Sequence, residues 1–166
     1  MKIINENVTA PNSFIAIVIS RFNIFINKNL LHAALDTLQR IGMVKEKNIT
    51  ICWVPGSYEI AQVIQQLIQK NIYDGIISIG TIIKGETSHY KYLSKEVCSQ
   101  LSNLSIKNNI PISFGIITAD NIKQAIERSG VKINNKGIEA ALTLLEMINI
   151  FKSIKSSKII NEKEIK

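Results

Sequence analysis

The chain has 166 residues, enough for one domain that buries roughly two thirds of its unfolded surface without a metal or disulfide to hold it together. Apolar residues make up 46% and charged residues 20%, a globular balance, and the longest apolar run, Phe14 to Ile19, is far too short to span a membrane. The net charge of +7 does not point to nucleic acid, because the stretch from Lys152 onward holds five lysines against two glutamates, +3 of that total, and the other basic residues are scattered without interleaved aromatics. An anionic small substrate or a solubilising tail accounts for the charge as well. No basic, apolar leader opens the chain, which predicts no signal peptide. Cys52 and Cys98 have no metal-like spacing to each other or to His32 and His89, and read as reduced core thiols of a cytosolic protein.

In chain order, Ile3, Ile4 and Val8 could make a short edge strand, set apart from the domain by Pro11. Phe14 to Ile19 is the first strand of the domain, apolar enough to be covered on both faces. After the polar loop Ser20–Asn23, apolar residues at Leu30, Leu31, Ala34, Leu35 and Leu38 predict an amphipathic helix over Asn27–Ile41, ended by Gly42. Asn48 to Val54 is the second strand, and Ser57 is placed to cap the helix that carries Ile60, Val63, Ile64, Leu67 and Ile68 to near Asn71. A third strand begins at Ile76 and is expected to break at Gly80 and Gly85. A helix from Tyr90 to Lys107, a fourth strand from Ile110 to Thr118, a short helix from Asp120 as cap to Arg128, and a last helix over Lys136–Phe151 complete the pattern. Residues 155–166 read as a lysine-rich, flexible tail. Four strand–helix units in alternation predict a parallel sheet with helices on both faces.

In such a sheet four loops share one edge: Ser20–Asn23, Pro55–Glu59, Thr81–His89 and Thr118–Asn121, and ligands bind beyond the carboxyl ends of strands. The loop Gly80–Tyr90 couples fresh N–H groups at a helix start, an anion site, with Lys84, Thr87 and a proton-transfer group, the imidazole of His89. Gly80-x4-Gly85 imitates a nucleotide-binding Walker loop, but there a Lys-Ser/Thr pair must follow the second glycine; here Lys84 precedes it and Glu86-Thr87 follow, so nucleoside triphosphate chemistry is rejected. Phe22 is either a stacking face for a flat heterocycle or a satellite apolar contact. Glu59 is either functional or simply favoured by the dipole of the helix it opens. Phe114, taken alone, reads as core.

Trp53-Val-Pro-Gly-Ser-Tyr-Glu59, Gly80-Thr-Ile-Ile-Lys-Gly-Glu-Thr-Ser-His-Tyr90, Phe114-Gly115, Gln124-Ala-Ile-Glu-Arg-Ser-Gly130 and Asn135-Lys-Gly-Ile-Glu-Ala-Ala141 fall in one order and spacing. Together they resemble the lumazine synthase family, the penultimate enzymes of riboflavin synthesis, over residues 1–154. The resemblance implies a flavodoxin-like, single-domain α/β/α sandwich with a four-stranded parallel sheet, the N-terminal strand being added to a neighbouring subunit. It implies condensation of 5-amino-6-(D-ribitylamino)uracil with 3,4-dihydroxy-2-butanone 4-phosphate to 6,7-dimethyl-8-ribityllumazine, phosphate and water, with no cofactor and no metal. By the same resemblance, Phe22 stacks on the pyrimidine, Ser57, Tyr58 and Glu59 hold the ribityl chain and orient the ring, and Thr81, Ile82 and Ile83 line its edge. Glu86, Thr87 and Arg128 bind the phosphate, Phe114 contacts the ring, and His89 shuttles protons. Phe114 and Arg128 are expected from a neighbouring subunit.

The implied partners are small-molecule substrates and copies of the chain itself, as pentamers or a closed shell of roughly sixty subunits, with riboflavin synthase as a further partner; no nucleic acid or membrane is implied. Three departures stand out. Lys84 replaces an Arg that many relatives carry, which keeps the charge but loses the bidentate fork. The link Gly130–Asn135 lacks the second glycine of shell-forming members, although Asn134 can adopt the left-handed conformation, and the link is not lengthened as in members that stop at pentamers. The tail passes the usual end. A rival reading is a non-catalytic flavin- or pterin-binding module on the same fold, which would not need His89 and Arg128 together.

Overall fold

Every residue of Ile15-Ala-Ile-Val-Ile19 is apolar, and such a strand is stable only with neighbours on both edges and helices on both faces. The computed structural model, which describes residues 3–130 and 135–163 with side chains to Ser156, places it so. β1 (Ile15–Ser20) is buried along its whole length. It pairs in parallel with β2 (Ile49–Val54) on one side and β3 (Gly75–Ile83) on the other, and β3 pairs in parallel with β4 (Ile112–Ala119). The sheet order is β2-β1-β3-β4.

The two faces follow from the period of two along each strand. Ile15, Ile17 and Ile19 of β1 and Ile77 and Ile79 of β3 meet α1 (Ile24–Asp36) and α5 (Lys136–Lys163), through Leu30, Ala34, Ala141, Leu144 and Leu145. Ala16, Val18 and Ile76 meet α2 (Ile60–Ile68) and α3 (His89–Asn108), through Ile60, Ile64, Leu67, Val97 and Leu101. Each fully buried Ile or Leu contributes about 1.5–3 kcal/mol of transfer free energy, so the isoleucine-rich strands hold the layers together without cross-links. The expected α/β/α sandwich on a four-stranded parallel sheet is thus present.

Several boundaries differ from the sequence expectation. β3 does not break at Gly80; it continues to Ile83, in register with Ala119 of β4. Gly80 is there for space: a Cβ at this position would lie 2.8 Å from Ser57 Oγ. Ser57 does not cap α2; the residue at the cap position is Glu59. α4 (Ile122–Arg128) is capped by Asn121 rather than Asp120, the Asn121 Oδ1 accepting from Gln124 N at 3.0 Å. α1 starts before Asn27, and its last turn widens into a π-helical turn at Thr37–Ile41. α5 runs on to Lys163 instead of ending at Phe151. Cys98 is exposed and only Cys52 is half-buried, so they are not a pair of core thiols.

Residues 3–14 form no strand within this sheet. Val8 packs on the α1/α5 core, and Asn149 Nδ2 donates to the Asn7 carbonyl at 2.8 Å and the Thr9 carbonyl at 3.1 Å. Ile3 and Ile4 are exposed. The interior of the Gly130–Asn135 link, with Asn134, lies outside the described residues. No helix among the described residues is long and apolar enough to cross a membrane.

Candidate active site

The chain goes from β1 to β2 on one side of the sheet and from β2 back across β1 to β3 on the other. Where neighbouring strands send their connections in opposite directions, the loops diverge and leave a crevice at the carboxyl ends. Here that point lies between β1 and β3. A cavity of about 570 Å³ opens there, lined by Phe22, Ser57, Tyr58, Glu59, Thr81, Ile82, Ile83, Thr87 and His89, together with Gly56, Gly85, Tyr90 and Leu93.

Local structure explains each wall. At the end of β1, Arg21 N donates to the Val54 carbonyl at 2.8 Å and Phe22 N to the Pro55 carbonyl at 3.2 Å, which ties the first loop to the end of β2. Asn23 follows with φ 58, the left-handed region that Asn tolerates best after Gly. This sharp reversal sends the chain into α1 and leaves the Phe22 ring 70% exposed. In the second loop, Glu59 Oε2 accepts from Gly56 N at 2.9 Å, so the carboxylate folds back and closes the Pro55–Glu59 turn. Ser57 is buried against Gly80, whereas Tyr58 points outward and is 59% exposed. Thr81 and Ile82 are buried ends of β3, held in the ladder.

The third wall is polar. Lys84, Gly85, Glu86, Thr87 and Ser88 are all exposed and lead directly into α3. The first turn of this 20-residue helix starts at His89; the helix dipole favours anions there, and its N–H groups point toward the loop, Lys91 N already donating to the Ser88 carbonyl at 3.0 Å. Thr87 Oγ1 lies 3.4 Å from His89 N, within reach of one of them. An apolar and aromatic slot therefore abuts an anion-favouring helix start, with an imidazole at the boundary.

Nine of the twelve residues singled out from the sequence line this cavity: Phe22, Ser57, Tyr58, Glu59, Thr81, Ile82, Ile83, Thr87 and His89. Glu86, Phe114 and Arg128 do not. Glu86 is exposed on the loop. Phe114, expected as core when read alone, is 36% exposed on edge strand β4. Arg128 is exposed in the last turn of α4. Sequence reasoning missed Tyr90 and Leu93, which continue the apolar wall along α3, and Asn23 and Asn27, which brace the first loop. Asn27 had a signal: it falls in helical register with Leu30, Leu31, Ala34 and Leu38, a polar residue on an apolar stripe.

A parallel β2-β1-β3-β4 sheet with its ligand cavity at the β1/β3 switch defines a flavodoxin-like α/β protein. The profile of the 6,7-dimethyl-8-ribityllumazine synthase family matches residues 12–152. The 6,7-dimethyl-8-ribityllumazine synthase of Blochmanniella pennsylvanica is 56% identical over 157 residues, covering 95% of this chain and 99% of the relative. The enzymes of the same name from Buchnera aphidicola and Yersinia pseudotuberculosis are 55% and 50% identical over 155 residues, 93% of this chain and 97% and 99% of theirs. This chain belongs to the 6,7-dimethyl-8-ribityllumazine synthase family. That membership makes it a transferase of riboflavin biosynthesis rather than a non-catalytic binding module on the same fold.

Proposed function

We propose that the cavity at the β1/β3 switch condenses 5-amino-6-(D-ribitylamino)uracil with 3,4-dihydroxy-2-butanone 4-phosphate to give 6,7-dimethyl-8-ribityllumazine, phosphate and water. One observation carries this reading: a flat-walled slot and an anion-favouring helix start share one cavity, with His89 between them. The pyrimidine stacks on Phe22 and meets the strand end Thr81–Ile83. Ser57, Tyr58 and Glu59 hold the ribityl chain, and Glu59, already turned back onto Gly56 N, presents its remaining carboxylate oxygen to ligand hydroxyls. The ketone's phosphate lies against Glu86 and Thr87 at the start of α3, where backbone N–H groups and Lys84 offset its charge.

The chemistry needs no covalent enzyme nucleophile. The primary amine attacks the ketone and water leaves to give an imine. Loss of phosphate leaves an enol that tautomerises to a new carbonyl on the adjacent carbon, and the ribityl-bearing nitrogen closes on that carbonyl with loss of a second water. Each step moves a proton, which the His89 imidazole can accept and return. Holding two reactants in one slot supplies much of the acceleration through orientation, and acid–base help adds typically about 10²–10⁴-fold.

Phe114 and Arg128 complete the site from a neighbouring subunit, Phe114 on the ring and Arg128 on the phosphate. Their exposure outside the cavity of their own chain supports this. The assembly is a pentamer or a closed shell built from pentamers, in which Ile3 and Ile4, exposed here, pair with a neighbour's sheet edge. Riboflavin synthase, which consumes the product, is the expected partner, and the location is cytoplasmic.

The decisive experiment mixes both substrates with the purified protein and follows the fluorescence of the lumazine. Product is expected only when both substrates are present, and with the protein it should form at a rate well above that of the uncatalysed condensation. A rate no higher than without protein overturns the reading. Sedimentation tests the assembly, where a fully active monomer of 18.6 kDa would overturn the shared site.

A further inference from the structure

The Phe22 ring is 70% exposed, yet its backbone is held from both sides. Its N–H faces Ser20 Oγ at 3.1 Å and the Pro55 carbonyl at 3.2 Å, and its carbonyl accepts from Asn27 Nδ2 at 2.8 Å. Asn27 is itself fully buried. It occupies an inward position of α1, where a leucine would be the better helix former and would bring no polar group to desolvate. Both donors of its Nδ2 and its Oδ1 are engaged across elements. Nδ2 also donates to the Ser20 carbonyl at 2.8 Å, and Oδ1 accepts from Thr81 Oγ1 at 2.6 Å.

The network closes on the other side of the crevice. The side chain of Asn23, the residue at the cap position of α1, makes no capping bond to the helix; its Nδ2 donates instead to the Thr81 carbonyl at 2.9 Å. Thr81 thus receives one bond at its carbonyl and gives one from its hydroxyl, both to the segment around Phe22. A carboxamide carries two donors and an acceptor on one rigid plane, which is what two carbonyls of the first loop and one hydroxyl of β3 require. No hydrogen bond of this network reaches Lys84, Glu86 or Thr87.

We infer that Asn27 is a positioning residue for the aminouracil half of the site: it fixes the Phe22 face at a set separation from the Thr81 end of β3, and so sets the slot into which the pyrimidine enters. This rests on the reading of Phe22 as the stacking face. It acts through Phe22 and Thr81 and does not touch the ligand. The phosphate half of the cavity stands on separate bonds and is independent of it.

The test is steady-state kinetics on Asn27→Ala and Asn27→Asp in the full chain. The Asp variant keeps the shape and the acceptor but turns the face toward the two carbonyls from donating to accepting. Both variants are checked by thermal melting and by assembly size. The expected result is a rise of about tenfold in KM for the aminouracil, the loss of a bond or two to placement, with KM for the butanone phosphate and kcat within about twofold of wild type. In a Phe22→Ala background, Asn27→Ala should then change the aminouracil KM by less than about twofold, because there is no longer a ring to place. Equal rises in both KM values, full additivity with Phe22→Ala, an unchanged aminouracil KM, or failure of both variants to fold would each overturn the inference. An inactive wild-type protein would instead overturn the proposed function, so the two failures are distinguishable.

Discussion

The two ends of the sheet carry similar residues put to opposite uses. At the amino end, a hollow of about 220 Å³ is lined by Asn71, Tyr73, Asp74, Asn109, Phe151 and Lys152, among others. By composition it is as polar as a binding site. Two of its charged groups, Asp74 and Lys152, are however occupied by the chain itself. Asp74 Oδ2 accepts from Phe14 N at 2.8 Å and Asp74 N donates to the Phe14 carbonyl at 2.8 Å, while Lys152 Nζ donates to Ser13 Oγ at 2.9 Å and lies 3.7 Å from Asp74 Oδ1. At the carboxyl end the satisfied groups are mostly backbone and buried, and the side chains Phe22, Tyr58, Thr87 and His89 are left facing a larger space. Polar lining does not identify a site. What does is the pairing of a fixed backbone with unspent side chains.

If the two ends divide labour in this way, substitutions should separate cleanly into losses of activity and losses of stability. The largest effect is expected from His89→Ala, with kcat falling about 10²-fold, KM values changing little, and the melting temperature unchanged; wild-type turnover would remove the imidazole from the chemistry. Arg128→Ala comes next. Losing a charge-assisted bond of about 1.5–3 kcal/mol should raise KM for the butanone phosphate by roughly tenfold or more, and a change confined to the aminouracil would place Arg128 on the wrong substrate.

At the amino end, Asp74→Ala should cost about 1–2 kcal/mol in denaturant unfolding, since it leaves Phe14 N without its acceptor and Lys152 with Ser13 Oγ but no carboxylate beside it, and kcat/KM should stay within about twofold. A larger loss of activity than of stability would erase the distinction between the ends. The smallest effect belongs to neither end. Ser113 on β4 is buried, and among the described residues its hydroxyl has no partner. Ser113→Ala should therefore be neutral or stabilise the fold by up to about 1 kcal/mol, measured by the same unfolding curves, with no kinetic change.

The strands and their parallel arrangement, though not their order in the sheet, could be read from the chain because β1 is apolar at almost every position, β3 is rich in isoleucine, and the connections between strands are long enough for helices. The site loops could be read because strand ends in such a sheet are where ligands sit, and because several motifs match a known family. What could not be read has a physical cause in each case. Gly80 looked like a break, since a glycine that makes room for Ser57 Oγ is indistinguishable in sequence from one that makes a turn. Asp120 and Asn121 are both good caps, and only the path of the chain selects the second. Ser57 looked like a cap because its hydroxyl could serve as one; packing against β3 claimed it instead. Phe114 alternates with core residues in β4, but β4 is an edge strand and its ring is left partly uncovered, which no periodicity can tell. Asn27 was visible as a polar residue on an apolar face, yet its meaning came only from partners 5, 7 and 54 positions away.

The central place of β1 also shapes how the protein is made. Its apolar run leaves the ribosome early, but its partner β3 begins with the pairing of Gly75 to Ile15, a separation of 60 residues. At a synthesis rate of about 5–20 residues per second, that is roughly 3–12 seconds in which Ile15–Ile19 has no second edge to bind. A short, uncharged, β-branched segment of this kind is what aggregating chains recruit. Arg21 and Lys28 follow it closely and act as charged gatekeepers during that interval. Low temperature or slowed translation lengthens the exposure, so the yield of soluble protein should depend on the speed of synthesis more than on the stability of the finished fold.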